Sequence, residues 1–114
     1  MAITIATAMP TSFKVELFKG LHNFTAGSTR FRMALFTAVA SGSGTYGAAT
    51  TNYSDMGADE LATATGYSRP GELLTSVTPT ADGTTAILDF ANETWTSSSF
   101  TTCGGLIYDT GDSN

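Results

Sequence analysis

The alternation of apolar with polar or small residues is clearest over Thr29 to Ala38 (TRFRMALFTA). Phe31, Met33 and Leu35 fall on one side of this run, and Arg30, Arg32, Ala34 and Phe36 on the other. A period of two is the mark of a strand. A second alternating run, Thr84 to Phe90, follows Asp82-Gly83, a tight-turn signal, and puts Ala86, Leu88 and Phe90 on one face. Phe100 to Tyr108 predicts the next strand, and its Gly104-Gly105 interruption implies a bulge or a close backbone approach. On this reading Pro79 to Tyr108, which holds the only Trp and the only Cys, is the strand–turn–strand unit around which the chain is organised. Glu72 to Thr78 reads as a further strand after a turn at Tyr67–Gly71.

The period changes near the start. Phe13, Leu17 and Leu21 recur at four-residue spacing, which predicts a short amphipathic helix over Ser12 to Leu21 within the segment 11–21. Pro10 marks its start, Thr11 and Ser12 are cap candidates, and Gly20 is an end signal. Met1 to Met9 alternates apolar residues with Thr, as a strand or arm added to another sheet would, and is expected to be mobile unless a partner pairs with it. Ala26 to Ser28 reads as a turn. Ala40 to Ala49 (ASGSGTYGAA) opens an irregular region, 40–66, too polar and flexible at its start for the core, and Asp55 to Ala64 predicts one or two helical turns around Met56 and Leu61. These elements describe one domain over 1–114: a mainly β fold, a small antiparallel sandwich or barrel over 29–108, with the arm (1–9) and one short helix packed on an edge or end. Tyr108 to Asn114 is a turn sequence with no strand after it, so either the chain ends on a partner or, the favoured reading, a further C-terminal strand is missing.

Composition narrows the partners. Charged residues are 13% of the chain, about half the usual share, and Thr, Ser and Gly fill the gap. This suits either strands with hydroxylated faces or a surface that meets other protein, since interfaces are depleted in Lys, Glu and Asp. With a net charge of −5 and only 5 Lys and Arg, the chain lacks the basic footprint of direct nucleic-acid binding. No apolar run is long enough to span a membrane, and no secretory signal is visible. A lone Cys103 offers neither an intrachain disulfide nor a CxxC metal pair, so the chain is expected to fold on packing in a reducing cytoplasm, without a cofactor or metal.

Candidate chemistry is sparse. His22, the only histidine, lies just past the predicted helix end, where an imidazolium meets the helix C-terminus favourably; a catalytic base is the other role open to it. Cys103 reads as a small hydrophobe. Asp55, Asp59 and Glu60 do not match the calcium-loop spacing and read as a solvated acidic loop, with an opportunistic divalent-ion site as the lesser alternative. Asp89 and Glu93 flank a turn and could pair with an arginine; an acid pair for sugar hydrolysis would need one carboxyl in an apolar pocket. Trp95 with Tyr46, Tyr53 and Tyr67 would supply stacking surfaces to a sugar-binding module, or Trp95 is a core or interface anchor. Arg30 and Arg32, two residues apart on one strand face, either bridge to carboxylates of a neighbouring subunit or keep an edge strand soluble. The candidate subunit contacts are Ile3, Ile5, Arg30, Arg32, Phe36 and Trp95. The sequons at Asn23, Asn52 and Asn92 carry no meaning without secretion.

Three stretches, Met9 to Thr25 (MPTSFKVELFKGLHNFT), Phe31 to Ser54 (FRMALFTAVASGSGTYGAATTNYS) and Gly83 to Thr110 (GTTAILDFANETWTSSSFTTCGGLIYDT), together resemble a family of short virion structural proteins of tailed bacteriophages. In that family a SFK-EL--G-HNF helix precedes an ALYT strand and small-residue loop, and an LDF---TW hairpin leads to a G-LIYN strand. The match keeps the order and covers most of the chain. Phe36 stands where the family has Tyr, and Cys103 and Gly104 stand where less permissive residues are expected. Family members usually continue past the LIY turn with another strand. The resemblance implies a virion structural protein assembled in the bacterial cytoplasm, a homo-oligomer packing against the major capsid protein or tail proteins. It brings no catalytic residues with it, and the chain is expected not to be an enzyme. A capsid decoration or cement role is placed ahead of a tail, collar or fibre role. A host-receptor or carbohydrate-binding module is the alternative from a different class.

Overall fold

The central strand of the molecule is Phe31–Leu35. In the computed structural model, which describes residues 2–25, 30–75 and 78–110, this strand has a neighbour on each side. In chain order the elements are β1 (Thr4–Ile5), helix α1 (Thr11–Phe18), β2 (Phe31–Leu35), β3 (Thr45–Tyr46), β4 (Glu72–Leu73), β5 (Thr80–Asp82), β6 (Thr85–Ile87) and β7 (Gly105–Asp109), with a 3-10 segment at Tyr53–Asp59 between β3 and β4. The three-stranded sheet has the order β4-β2-β7, both pairs antiparallel. β2 and β7 pair along their whole length, from Phe31 opposite Asp109 to Leu35 opposite Gly105.

The period-two reading of β2 holds, and both of its faces are inside. Ala34 and Phe36 pack with Ile3, Tyr46, Met56 and Tyr108. Leu35 packs on the other side with Leu61 and Tyr67, with Met33, Trp95 and Phe100 against them. A fully buried side chain of the size of Phe or Leu contributes roughly 1.5–3 kcal/mol through its apolar surface. The two clusters on one five-residue strand therefore anchor the fold.

The fold is mainly β, as expected, but several details differ. No sheet of the described residues closes into a barrel, which removes that half of the fold expectation. One pair is parallel: β1 lies beside β3, with Thr4 opposite Thr45 and Ile5 opposite Tyr46. The N-terminal arm thus finds its partner inside the chain, and Ile3 is seated in the core. Its partner is the Gly/Ser-rich loop that composition assigned to the outside. Tyr46 is buried there because its ring lies against Phe36, with centroids 4.6 Å apart.

The unit from Pro79 to Tyr108 is not the organiser. β5 and β6 pair only with each other in a two-stranded hairpin, and every residue of both strands is exposed. The turn is Gly83-Thr84, one position later than expected, because Asp82 already pairs with Thr85; Gly83 sits at φ 61 at the first central position, where type II′ turns take glycine. Of the predicted inward face Ala86, Leu88 and Phe90, only Phe90 reaches inside, where its ring meets Phe24 and Phe31. The strand forecast over Phe100 to Tyr108 is regular only from Gly105, where a Cβ would meet the tip of the Met33 side chain, a flexible group, with the nearest backbone atom, Ala34 O, at 3.4 Å.

Helix α1 is shorter than the apolar spacing suggested, and its end is the feature best read in advance. Lys19 is the last cap, Gly20 takes φ 73, Gly20 N–H bonds to Leu17 O and Leu21 N–H to Glu16 O. This double closure satisfies the last carbonyls and favours glycine at the left-handed position. Neither Thr11 nor Ser12 supplies a cap; Pro10 occupies the N-cap position with no side-chain bond. The turn expected at Ala26 to Ser28 and the residues after Thr110 lie outside the described residues, as do positions 76 and 77 of the strand forecast after Glu72.

Candidate functional site

Three arrangements stand out, two ionic and one apolar. The first joins α1 to the sheet. Beyond the Gly20 closure the chain turns back and places His22 between two carboxylates. Its Nδ1 lies 2.6 Å from Asp109 Oδ2 and its Nε2 2.8 Å from Glu16 Oε2. The His22 and Asp109 side chains are 4% and 2% exposed, and Glu16, at 39%, forms the outer wall. Phe13 stacks on the imidazole with ring centroids 4.5 Å apart. Arg30 completes the cluster from below β2, Nε to Asp109 Oδ1 at 2.9 Å and Nη2 to Oδ2 at 2.6 Å, while Nη2 also donates to Leu21 O at 3.1 Å. Burial works against a charge on His22, but the bonds to Asp109 and Glu16 outweigh it and raise its pKa above 6.5.

The second arrangement buries the acids that the sequence placed in solvent. Asp59 accepts the Tyr46 hydroxyl at 2.6 Å and the backbone N–H groups of Ser43 and Gly44 at 3.1 and 2.8 Å. Glu60 accepts the Tyr67 hydroxyl on Oε1 at 2.8 Å and the Tyr53 hydroxyl on Oε2. Arg69 reaches over from the turn before β4, its Nη2 donating to Glu60 O at 2.6 Å and its Nε to Leu61 O at 3.1 Å. A buried carboxylate costs several kcal/mol unless it is hydrogen-bonded, and here each carboxylate has its donors. Asp55 alone behaves as forecast: it is exposed and closes the N-terminal end of the 3-10 segment with Asn52, accepting from the Thr51 and Asn52 N–H groups.

All 4 tyrosines of the chain use their hydroxyls internally, Tyr108 by donating to Pro70 O at 2.7 Å. Burial, together with the neighbouring acids, raises the Tyr46 hydroxyl to about 12 and pushes those of Tyr53 and Tyr67 higher still. Tyr46, Tyr67 and Tyr108 are buried and Tyr53 stacks on Tyr108, so these rings are not laid out as a stacking platform. Trp95 is half-buried against Leu35, Leu61 and Tyr67, and its Nε1–H is buried without an acceptor among the described residues.

The third arrangement is the outer surface. α1 has no buried residue; Val15 and Leu17 are exposed on it, and Phe18 is 94% exposed. Met9 before the helix and Leu21 after it are exposed as well. Inward of the arm and helix runs an open groove of about 600 Å³, whose walls include Ile5, Phe13, His22, Phe36, Leu88 and Tyr108.

The six candidate contact residues therefore divide. Ile3 and Phe36 are buried core of their own chain, which leaves them little surface for a neighbour. Arg30 makes its two-pronged carboxylate pair with Asp109 of the same chain, and Arg32 donates to Gly71 O at 2.8 Å. Trp95 is partly covered, and Ile5 is exposed. His22 does not cap the helix carbonyls, a task already done by the Gly20 closure. As a general base it would need a free ring nitrogen, and both are engaged. Cys103 packs against the Phe36 cluster as a small apolar group, and Asp89 accepts from the Phe90 N–H rather than from an arginine. Among the described residues no three His, Cys, Asp or Glu side chains converge as a metal site, and no helix is long and apolar enough to cross a membrane. Glu16 and Asp109 were not legible as partners of His22, because the pairing with Asp109 spans 87 positions and depends on the β2–β7 register. Comparison of the chain with protein-family models, with curated proteins and with solved structures gave no match.

Proposed function

We propose that this protein is a structural component of a tailed-phage virion that acts by subunit packing, without catalysis, and that it sits on the capsid as a decoration or cement protein. The observation that carries this reading is α1. An eight-residue helix that keeps Val15, Leu17 and above all Phe18 outside, with only Phe13 turned inward, gains little stability from its own chain and is suited to a partner surface. Together with the exposed hairpin β5–β6, it offers two exposed elements suited to contacts with copies of itself and with a shell or tail protein. The two packed faces of β2 fit a small sandwich. The low charge of the surface fits burial in an assembly, and the resemblance of the three sequence stretches supplies the virion setting. A tail, collar or fibre position is the second reading, since the same surface would serve there.

The test is to locate the chain in purified particles by cryo-electron microscopy and to count its copies. Hundreds of copies over the shell support the decoration role. A few to a few dozen at the neck, tail or fibre bases move it to the tail, and absence from the particle overturns the virion reading.

A further inference from the structure

We propose that His22 is a pH-gated latch that holds α1 to the sheet only while its imidazole is doubly protonated. The argument is one of donors and acceptors. An ionised carboxylate only accepts, and a neutral imidazole donates from one nitrogen alone. His22 faces a carboxylate oxygen with each nitrogen, at 2.6 and 2.8 Å, so both contacts are bonds only in the imidazolium form. Arg30 decides where the proton lies: its two-pronged grip holds Asp109 as the carboxylate, leaving the shared proton on Nδ1. The charged groups that face the ring are Glu16 from α1 and Asp109 from β7, with Arg30 behind Asp109; Phe13 covers the ring face. Removing the His22 proton leaves a nearly enclosed ring with a lone pair against a carboxylate oxygen.

The bond that gives way is the one to Glu16. Asp109 is pinned by Arg30, whereas Glu16 is partly in water and sits on the helix that must move. Since α1 buries no residue of its own, its ties inward are few: the Glu16–His22 contact, the Phe13 ring against His22 and Phe24, and the Thr11 N–H on Ala48 O at the helix start. Loss of the proton therefore loosens the C-terminal half of the helix, which carries Phe18. The sign follows from the raised pKa: the latch is closed in full below 6.5, the ordinary histidine value, and opens as the pH rises through the raised value. The tyrosine hydroxyls, pushed upward by burial, stay neutral over this range.

Because the chain has 1 histidine, its ring signals in an NMR titration of ¹⁵N-labelled protein are unambiguous. At pH 6 both nitrogens should carry protons. Through the titration, protection of the Val15 to Leu21 amides, corrected for intrinsic exchange, should fall by about tenfold or more while the β2 amides keep theirs. A neutral ring at pH 6, or a titration that leaves α1 protection unchanged, overturns the latch. The Glu16→Gln variant supplies the second arm: its amide can accept from a protonated Nε2 or donate to a bare one, so α1 protection should become independent of pH. Retention of the parent pH dependence in that variant overturns the assignment to Glu16.

Discussion

The Tyr67 hydroxyl stands between Glu60 and the central strand: it donates to Glu60 Oε1 at 2.8 Å and accepts from the Leu35 N–H at 3.1 Å. One buried oxygen thus ties an acid of the irregular region to β2 at the point where the strand leaves its β7 partner. Replacing Tyr67 by Phe strips a donor from a buried carboxylate and an acceptor from a buried amide. The expected loss is about 1–3 kcal/mol of stability, read from the denaturation midpoint. Tyr53→Phe, which removes a hydroxyl bonded to Glu60 alone, should cost less.

Asp59 makes stability depend on acid. Its carboxyl is held below the ordinary carboxylate range by the Tyr46 hydroxyl first, with burial opposing and the Ser43 and Gly44 N–H groups assisting. A depressed value in the folded state contributes stability that is present above the unfolded-state value and lost as the pH falls through the depressed one. Tyr46→Phe should therefore move the acid-unfolding midpoint to higher pH, measured by circular dichroism, while Asp55→Asn should move it much less.

Gly71 leaves no room for a side chain. It sits at φ 99, and a Cβ there would fall on the Met33 carbonyl oxygen of β2. The obstacle is backbone on both sides, so neither can yield. Gly71→Ala should lose about 1–3 kcal/mol or fail to fold, and a thermal melt decides it.

Phe18 makes the opposite forecast. At 94% exposure its removal costs the isolated chain little, so Phe18→Ser should keep stability within about 0.5 kcal/mol of the parent. If α1 is a contact surface, the same change should reduce incorporation into particles, scored by gel analysis of purified virions. Unchanged incorporation would exclude Phe18 from the interface.

Trp95 carries a buried N–H with no acceptor among the described residues. Trp95→Phe removes that donor while keeping an aromatic ring against Leu35 and Tyr67. The midpoint of unfolding should stay level or rise slightly, since the lost area and the relieved donor oppose each other.

What could be read from the residues was what local rules decide. The faces of β2 and the closure at Gly20 follow from periodicity and backbone sterics, and both are present. What could not be read depends on partners far along the chain. Asp59 and Glu60 looked solvated because nothing near them in sequence announces that tyrosines will cover them. The hairpin at Asp82–Thr85 carries a correct local pattern, yet its strands stay exposed and only Phe90 beyond them finds cover, since alternation reports that a strand can pack, not that a sheet lies beneath it. The helix shows the same gap: the spacing of Phe13, Leu17 and Leu21 is genuine, but only Phe13 of the three finds cover. For the ionic cluster the sequence offered His22 and Arg30 singly, and the register of β7 joined them.

The central position of β2 sets the order of events during synthesis. Its long partner β7 is among the last of the described elements to be made, and Arg30 must wait 79 positions for Asp109. Until Asp109 clears the ribosome, β2 has one edge open and Phe31, Ala34 and Phe36 lack the strand that completes their surroundings. Such long-range pairing is slow to form and exposes apolar strand surface in the meantime. The apolar edge of β2 is therefore the surface most open to mispairing until β7 has been made, and that exposure falls on the nascent chain, before native stability can count.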